Sequence, residues 1–337
     1  MEKNHSLFSN LRLPVICSPM FIISQPPLVI EQCKAGIVGS MPALNARPAE
    51  LLKDWLEEIT LTLAAHNRDF PSQPAAPFAI NQIVHKSNDR LEQDMEIIAH
   101  FKVPLVITSL GAREEVNEAV HAYGGMVMHD IINNTFAKKA IDKGADGLIA
   151  VAAGAGGHAG TKSPFALMQE LRQWFDGPIA LSGSIANGNS ILAAQAMGAD
   201  FAYMGSAFIA TEEARASDVY KQAIVDGTSD DVIYSNFFTG VYGNYLKTSI
   251  RNAGLDPENL PVNHEKTMNF SAGQAGKAKA WKDIWGSGQG IGAIDQVLTT
   301  KKFVSKLHSE YIAARERLGY ASNYFDQNAR DTAGMFI

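Results

Sequence analysis

Cysteine is nearly absent: Cys17 and Cys33 are the only two in 337 residues. That excludes a disulfide scaffold and leaves no Cys-x-x-Cys spacing for a metal or redox motif. Long apolar runs are missing as well, since none reaches the roughly 18 residues that span a bilayer. The patch from Leu13 to Ile23 is broken by Pro14 and Pro19 and shows no small-residue cleavage site, so it does not read as a secretion signal. Charge of one sign never accumulates. The 29 Lys and Arg and 35 Asp and Glu are dispersed, and the formal charge of −6 gives no footprint for nucleic acid or an anionic membrane. What remains is the composition of an ordinary globular enzyme, 46% hydrophobic and 19% charged. The expected location is cytoplasmic, with a small molecule as partner, and a homo-oligomer is compatible with the sequence.

Against these absences stands a regular alternation of strands and helices from residue 13 to about residue 212. Eight short apolar runs read as strands: Val15 to Ser18, Gly36 to Ser40, Phe78 to Asn81, Leu105 to Thr108, Met126 to His129, Leu148 to Val151, Ile179 to Ser182 and Phe201 to Met204. Most are continuously apolar, as parallel strands covered on both faces should be. Between them lie amphipathic helical patterns such as Ala49 to Ala65 and Arg90 to His100. Two units repeat a local device. Lys143-Gly144-Ala145-Asp146 and Met197-Gly198-Ala199-Asp200 each place a glycine at a helix end and an aspartate before the next strand. Eight such strands predict an α/β fold of the (β/α)8 TIM-barrel type, with an open doubly wound sheet as the alternative.

The rhythm changes after Thr211. Residues 213–285 read as a helical, loop-rich insert, a substrate domain or lid, carrying Tyr234, Phe237, Phe238, Tyr242 and Tyr245. The expected division is a barrel over 1–212, the insert over 213–285 and a return to the barrel over 286–337. That return opens on a second glycine-rich loop, Gly286 to Gly292, then a helix over Thr299 to Leu318 and a surface tail from Gly319.

The densest glycine cluster is Gly154-Ala155-Gly156-Gly157-His158-Ala159-Gly160, directly after the sixth strand. Four glycines let backbone approach a flat ligand while one imidazole projects from a strand end. The loop matches a loose G-x-G-x-x-A pattern. A dinucleotide site, however, wants an acidic residue at the end of the following strand, and Leu181-Ser182-Gly183 has none. The seventh and eighth strands end in Ser182-Gly183-Ser184 and Met204-Gly205-Ser206, small-residue turns into helices. In (β/α)8 enzymes these two loops frequently hold phosphate on their backbone N–H groups.

His158 has no second ligand at metal spacing, so no metal is expected, and no G-x-S-x-G elbow supports a hydrolase. Its place at the carboxyl end of a barrel strand suits a general base. His129, ending the fifth strand, is a second candidate. Ser18-Pro19-Met20, Asn81-Gln82 and Thr108-Ser109 bring further groups to the same rim, and Lys139 lies on the helix leaving the fifth strand.

Taken in order, S-P-M, A-G-G-H-A-G, S-G-S-I-A-N-G and M-G-S-A-F, with T-G-V-Y-G-N-Y-L at Thr239 to Leu246 and the late G-S-G-Q-G loop, this sequence resembles the nitronate monooxygenases over nearly its whole length. The resemblance implies an FMN-dependent barrel that oxidises alkyl nitronates, and nitroalkanes, with dioxygen to carbonyl compounds and nitrite. It implies that His158 is the catalytic base, that Met20, Asn81 and Gln289 approach the isoalloxazine and that Lys139 reaches towards it. Gly160, Gly183, Gly205 and Ser206 would hold the phosphate, with Pro19, Thr108, Gly157, Ser182, Ser184 and Met204 completing the cofactor set. The chain departs from many relatives at Ser184, where they carry glycine, and at Ser206-Ala207-Phe208, where they carry T-R-F. The same histidine loop also resembles NAD(P)H-dependent flavin reductases of the quinone and enoyl-acyl-carrier-protein type. An isomerase or aldolase using the phosphate site is a third reading.

Overall fold

The computed structural model describes residues 6–263 and 282–333; for residue 6 and for 320–333 only the backbone is described. The barrel part runs β1 (Val15–Cys17), α1 (Pro26–Lys34), β2 (Gly39–Pro42), α2 (Leu51–Asp69), β3 (Phe78–Ile83), α3 (Leu91–His100), β4 (Leu105–Ser109), α4 (Glu114–Ala122), β5 (Met126–Ile131), α5 (Asn134–Asp142) and β6 (Gly147–Val151). It continues through a two-residue strand β7 (Gly157–His158), α6 (Pro164–Arg172), β8 (Ile179–Ser182), α7 (Gly188–Ala196), β9 (Phe201–Met204) and α8 (Ser206–Ile209). After it come α9 (Asp218–Asp226), β10 (Val232–Ser235), β11 (Gly243–Leu246), α10 (Lys247–Asn252) and the long α11 (Thr300–Ala333).

Eight parallel strands pair in the order β1-β9-β8-β6-β5-β4-β3-β2. Cys17 N donates to Val38 O at 2.8 Å and Val38 N to Val15 O at 3.0 Å, which joins β1 to the segment entering β2 and closes the ring. The expected (β/α)8 barrel is therefore the observed one, with β8 and β9 as its seventh and eighth strands. Inward side chains fill the barrel with an apolar core that includes Ile16, Val38, Ala79, Leu105, Ile107, Met128, Ile149, Ala180 and Phe201. The alternate residues, such as Val106 and Val127 or Leu148 and Leu181, pack under the helices. Burial on both faces is why these strands read as continuous apolar runs.

The repeated Gly-Ala-Asp device has a clear physical basis. Gly144 and Gly198 take φ of 92° and 97°. Ala145 N then reaches back to Ala140 O and Ala199 N to Ala194 O, both at 3.0 Å, ending α5 and α7 in Schellman-type caps. Asp146 Oδ2 accepts from Val127 N, and Asp200 Oδ2 from Ile179 N, each at 2.7 Å. His121 and Arg172 bind the same two carboxylates at 2.9 and 2.7 Å. Each aspartate thus closes the lower end of the preceding strand, opposite the mouth. Asp146→Ala and Asp200→Ala are each expected to cost about 1–3 kcal/mol in a denaturant titration, because a strand N–H loses its acceptor. An unchanged denaturation midpoint would contradict this reading.

Three expectations need correction. The second strand starts at Gly39, not Gly36, because Gly36 (φ 89°) still belongs to the turn that ends α1. The 213–285 insert is not purely helical: besides α9 and α10 it contains the antiparallel hairpin β10–β11, with Val232 opposite Leu246 and Ser235 opposite Gly243. Short strands with aromatic residues carry no helical or parallel-strand period, so the pattern was hidden. The helix expected over Thr299 to Leu318 runs on as α11 to Ala333, through most of the segment expected as a surface tail. Residues 264–281 of the insert lie outside the described residues. The two cysteines are buried and free, and burial pushes the Cys33 thiol up to about 12.

Candidate active site at the barrel mouth

The upper ends of the strands carry a polar layer on the inner face. Continuing the alternation of the apolar core upwards gives Ser18 on β1's end, Asn81 on β3, Ser109 on β4, Asp130 on β5 and Ser182 on β8. Asn81 Nδ2 donates to Ser109 Oγ at 2.8 Å and to Ile107 O at 3.1 Å. Asp130 accepts from Ser109 and from the Leu110 backbone N–H, while Tyr203 is hydrogen-bonded to Ser18. Burial raises the Asp130 carboxyl above its ordinary value, only partly opposed by His129. The Tyr203 phenol is pushed well up by burial first and by Asp130 second. Asp130 and Tyr203 were not among the expected site residues. The signal that marks Asp130 is strand parity, since it follows Met126 and Met128 on one face.

Thr108 and His129 take the opposite parity. Thr108 Oγ1 and His129 Nδ1 meet at 2.6 Å, buried on the helix-facing side with Val106 and Val127. Burial lowers the His129 imidazole, so it is held neutral in that layer. Lys139 is exposed on α5.

A second cluster assembles from four separate loops. Gly154 takes φ of 83°, and a Cβ there would lie 2.2 Å from Ser184 Oγ and 3.1 Å from Gln289 Oε1. A Cβ on Gly156 would lie 2.8 Å from both Gly288 N and Ser206 Oγ. Gly288 N donates to Ser206 Oγ at 2.8 Å, and Gln289 N to Gly154 O at 2.9 Å. Gly183 and Ser184 follow one another at φ of 137° and 55°. The second is a left-handed conformation that a residue with a side chain seldom adopts. A Cβ on Gly205 would meet Ser18 at 3.1 Å and Met20 at 3.8 Å, so the turn holding Pro19 and Met20 adjoins the end of β9 that carries Met204. Gly160 lies on another side of its loop, where a Cβ would meet Val151 O at 2.9 Å and Ile132 at 3.0 Å.

His158 sits in β7, half-buried, paired in register with Gly243 of β11 while Gly157 pairs with Asn244. Its Nε2 lies 3.0 Å from Thr239 Oγ1. Burial lowers the imidazole to about 4, so it is neutral at physiological pH. Asn244 Nδ2 donates to Ala155 O at 2.7 Å and Tyr234 OH to Ala159 O at 2.8 Å, so the hairpin straps the whole glycine loop. Tyr234 and Tyr242 stack with centroids 5.0 Å apart. Among the described residues no group of three His, Cys, Asp or Glu side chains is placed to hold a metal ion, and no helix is long and apolar enough to cross a membrane.

Fold and mouth together define a (β/α)8 enzyme whose small-residue loops lie beside a neutral histidine. The chain belongs to the nitronate monooxygenase family, which it matches over residues 4–310; enzymes of this family are flavin enzymes. It is similar to nitronate monooxygenases of Neurospora crassa (25% identical, covering 94% of this chain and 93% of that one) and Paraburkholderia phytofirmans (25%, 92% and 95%). A protein of Mycobacterium tuberculosis named as a monooxygenase is 26% identical over 242 residues, which span 68% of this chain and 64% of its own length. Among solved structures it resembles a nitroalkane oxidase of Streptomyces ansochromogenes (TM-score 0.74, 21% identity, 93% of this chain and 99% of that one). It also resembles FabK of Thermotoga maritima (TM-score 0.73, 21% identity, 94% and 98%). At such identities the structures speak for the fold.

Proposed function

We propose that this enzyme binds FMN at the barrel mouth and oxidises alkyl nitronates with dioxygen to a carbonyl compound and nitrite. Nitroalkanes would be used after His158 removes the α-proton. The observation that carries the reading is the adjacency of the four-loop cluster at Gly154, Ser184, Ser206 and Gly288 to the neutral, half-buried His158.

The residues present fit the cofactor. The ends of β8 and β9 offer Gly183, Ser184, Gly205 and Ser206 to a phosphate, and glycine at 154 and 156 lets the loop after β6 pack directly against Ser184, Ser206 and Gly288 beside them. Met20, Asn81 and Gln289 supply one apolar and two amide groups to a flat ring. FMN would supply the two-electron redox chemistry and the reaction with dioxygen. The protein's own part is to orient the substrate and to take a proton. A neutral imidazole is the form competent to accept it. The stacked Tyr234 and Tyr242 give the hairpin an aromatic character suited to a small apolar substrate.

The purified protein is expected to be yellow, with one flavin per chain, and to bleach when mixed anaerobically with a nitronate. Bleaching by NADH or NADPH alone, with none by nitronate, would replace this reading by a flavin reductase. A colourless protein that cannot be loaded with FMN would favour an isomerase or aldolase instead.

A further inference from the structure

We propose that Asn45 is a positioning residue that holds the loop after β1 in a strained form and so presets Met20 for the cofactor; the inference rests on FMN binding at the barrel mouth. Asn45 lies in the turn that follows β2, and its side chain reaches across to residues 20–24. Its Oδ1 accepts from Ile22 N at 2.8 Å. Its Nδ2 donates to Met20 O at 3.0 Å and to Ser24 O at 2.7 Å. All three partners are backbone groups, each of one polarity, so the amide has one orientation. Turned over, it would set N–H against N–H and its oxygen against two carbonyls.

The loop has a strain to be held against. Ile22 takes φ of 70°, and a β-branched residue in that left-handed region persists only where its surroundings impose it. Local bonds close the turn: Met20 N donates to Ser24 Oγ at 3.0 Å and Ser24 N to Met20 O at 2.9 Å. Arg215 N, from a distant part of the chain, donates to Ile23 O at 3.1 Å. The bond to the strained residue's own N–H comes from Asn45. The turn that carries Asn45 is anchored in its own right. Arg90, just before α3, donates to Ala46 O at 2.7 Å and pairs with the buried Asp94 at 2.8 Å. A line of fixed contacts thus runs from α3 through the turn after β2 to the loop after β1. It ends on Met20, whose side chain lies beside the end of β9, since a Cβ on Gly205 would meet Met20 Cγ at 3.8 Å. A ligand that meets a loop already in this form does not have to order it first.

The test reads the loop itself and does not depend on turnover. In full-length protein carrying ¹³C-methyl methionine, the Met20 signal is identified by its loss in Met20→Leu. Wild type should show one sharp Met20 resonance. Asn45→Ala should broaden or split it, and should weaken FMN binding about tenfold or more, the scale of one or two hydrogen bonds. Asn45→Asp keeps the acceptor for Ile22 N and loses both donors, so it should show the same effects at smaller size even if Asn45→Ala does not fold. The decisive variant adds Ile22→Gly to the Asn45 substitution. Glycine adopts a φ of 70° without strain, so the double variant should regain most of the lost affinity. A residue that only stabilises the fold would instead leave the two effects additive. A Met20 signal unchanged by the Asn45 substitutions, FMN affinity within about twofold of wild type, or strict additivity each overturns the proposal. If the Met20 signal responds as stated but wild type takes up no FMN, the failure belongs to the proposed cofactor and not to the positioning role.

Discussion

Replacing His158 with asparagine is expected to lower kcat/KM on neutral nitroalkanes by about two to four orders of magnitude, the usual worth of a positioned general base. Preformed nitronates, which have already lost the proton, should turn over at close to the wild-type rate. The burial that lowers the imidazole to about 4 makes the prediction sharper. The base is competent at every pH above that value. The acid limb of the nitroalkane profile should therefore fall near pH 4, and not near the 6.5 of an ordinary histidine. In the His158→Asn variant this limb should vanish. Stability carries the same signature. Folding favours the neutral ring, so its contribution is fully present above the unfolded value near 6.5 and is lost as pH falls towards about 4. Denaturant midpoints of wild type and His158→Asn should converge or cross over that window. Equal losses on nitroalkane and nitronate would remove His158 from proton abstraction and leave it a structural residue of the hairpin junction.

The second large effect is expected at Gly154. Valine there meets two independent obstacles: a φ of 83° and a Cβ 2.2 Å from Ser184 Oγ with Gln289 Oε1 at 3.1 Å. A left-handed backbone costs a residue with a side chain about 1–2 kcal/mol, and overpacking adds about 1–3 kcal/mol. If Ser184 and Gln289 move to relieve the clash, the cradle opens and the cost falls on cofactor affinity. If they fall wholly on the cofactor, these terms together correspond to roughly thirtyfold to a few thousandfold weaker flavin binding. The measurement is the flavin-to-protein absorbance ratio after dialysis, with the melting temperature in the presence and absence of added FMN. Gly124→Ala is the matched control. Its φ is 86°, yet nothing lies within 4 Å of the added Cβ, so it should cost stability alone and keep its flavin. Full flavin occupancy in Gly154→Val would remove the four-loop cluster from the cofactor site.

Several parts of this molecule were legible residue by residue. The barrel strands were readable because burial on both faces leaves an unbroken apolar run, as in Leu148 to Val151 or Ile179 to Ser182. The Gly-Ala-Asp pairs were readable because a left-handed cap and a strand-closing carboxylate are local demands on particular residue types. Thr108 shows where such reading stops. It does lie near the mouth end of its strand, but the one-residue difference in parity from Ser109 turns it towards His129 and the helices. The hairpin was hidden for a different reason, since β10 and β11 are short and become strands by pairing with each other and with β7.

By itself, then, the sequence determined the kind of fold, the loops that gather small residues at the strand ends and the histidine among them. Each of these is set by contacts between near neighbours or by whether a segment is buried. Tertiary structure alone decided that Ser206 accepts from Gly288, 82 residues away, and that His158 meets Thr239, 81 residues away. Those partners are chosen by the closure of the ring and the fold of the insert across its mouth. No local period records which distant loop the closed barrel will bring alongside.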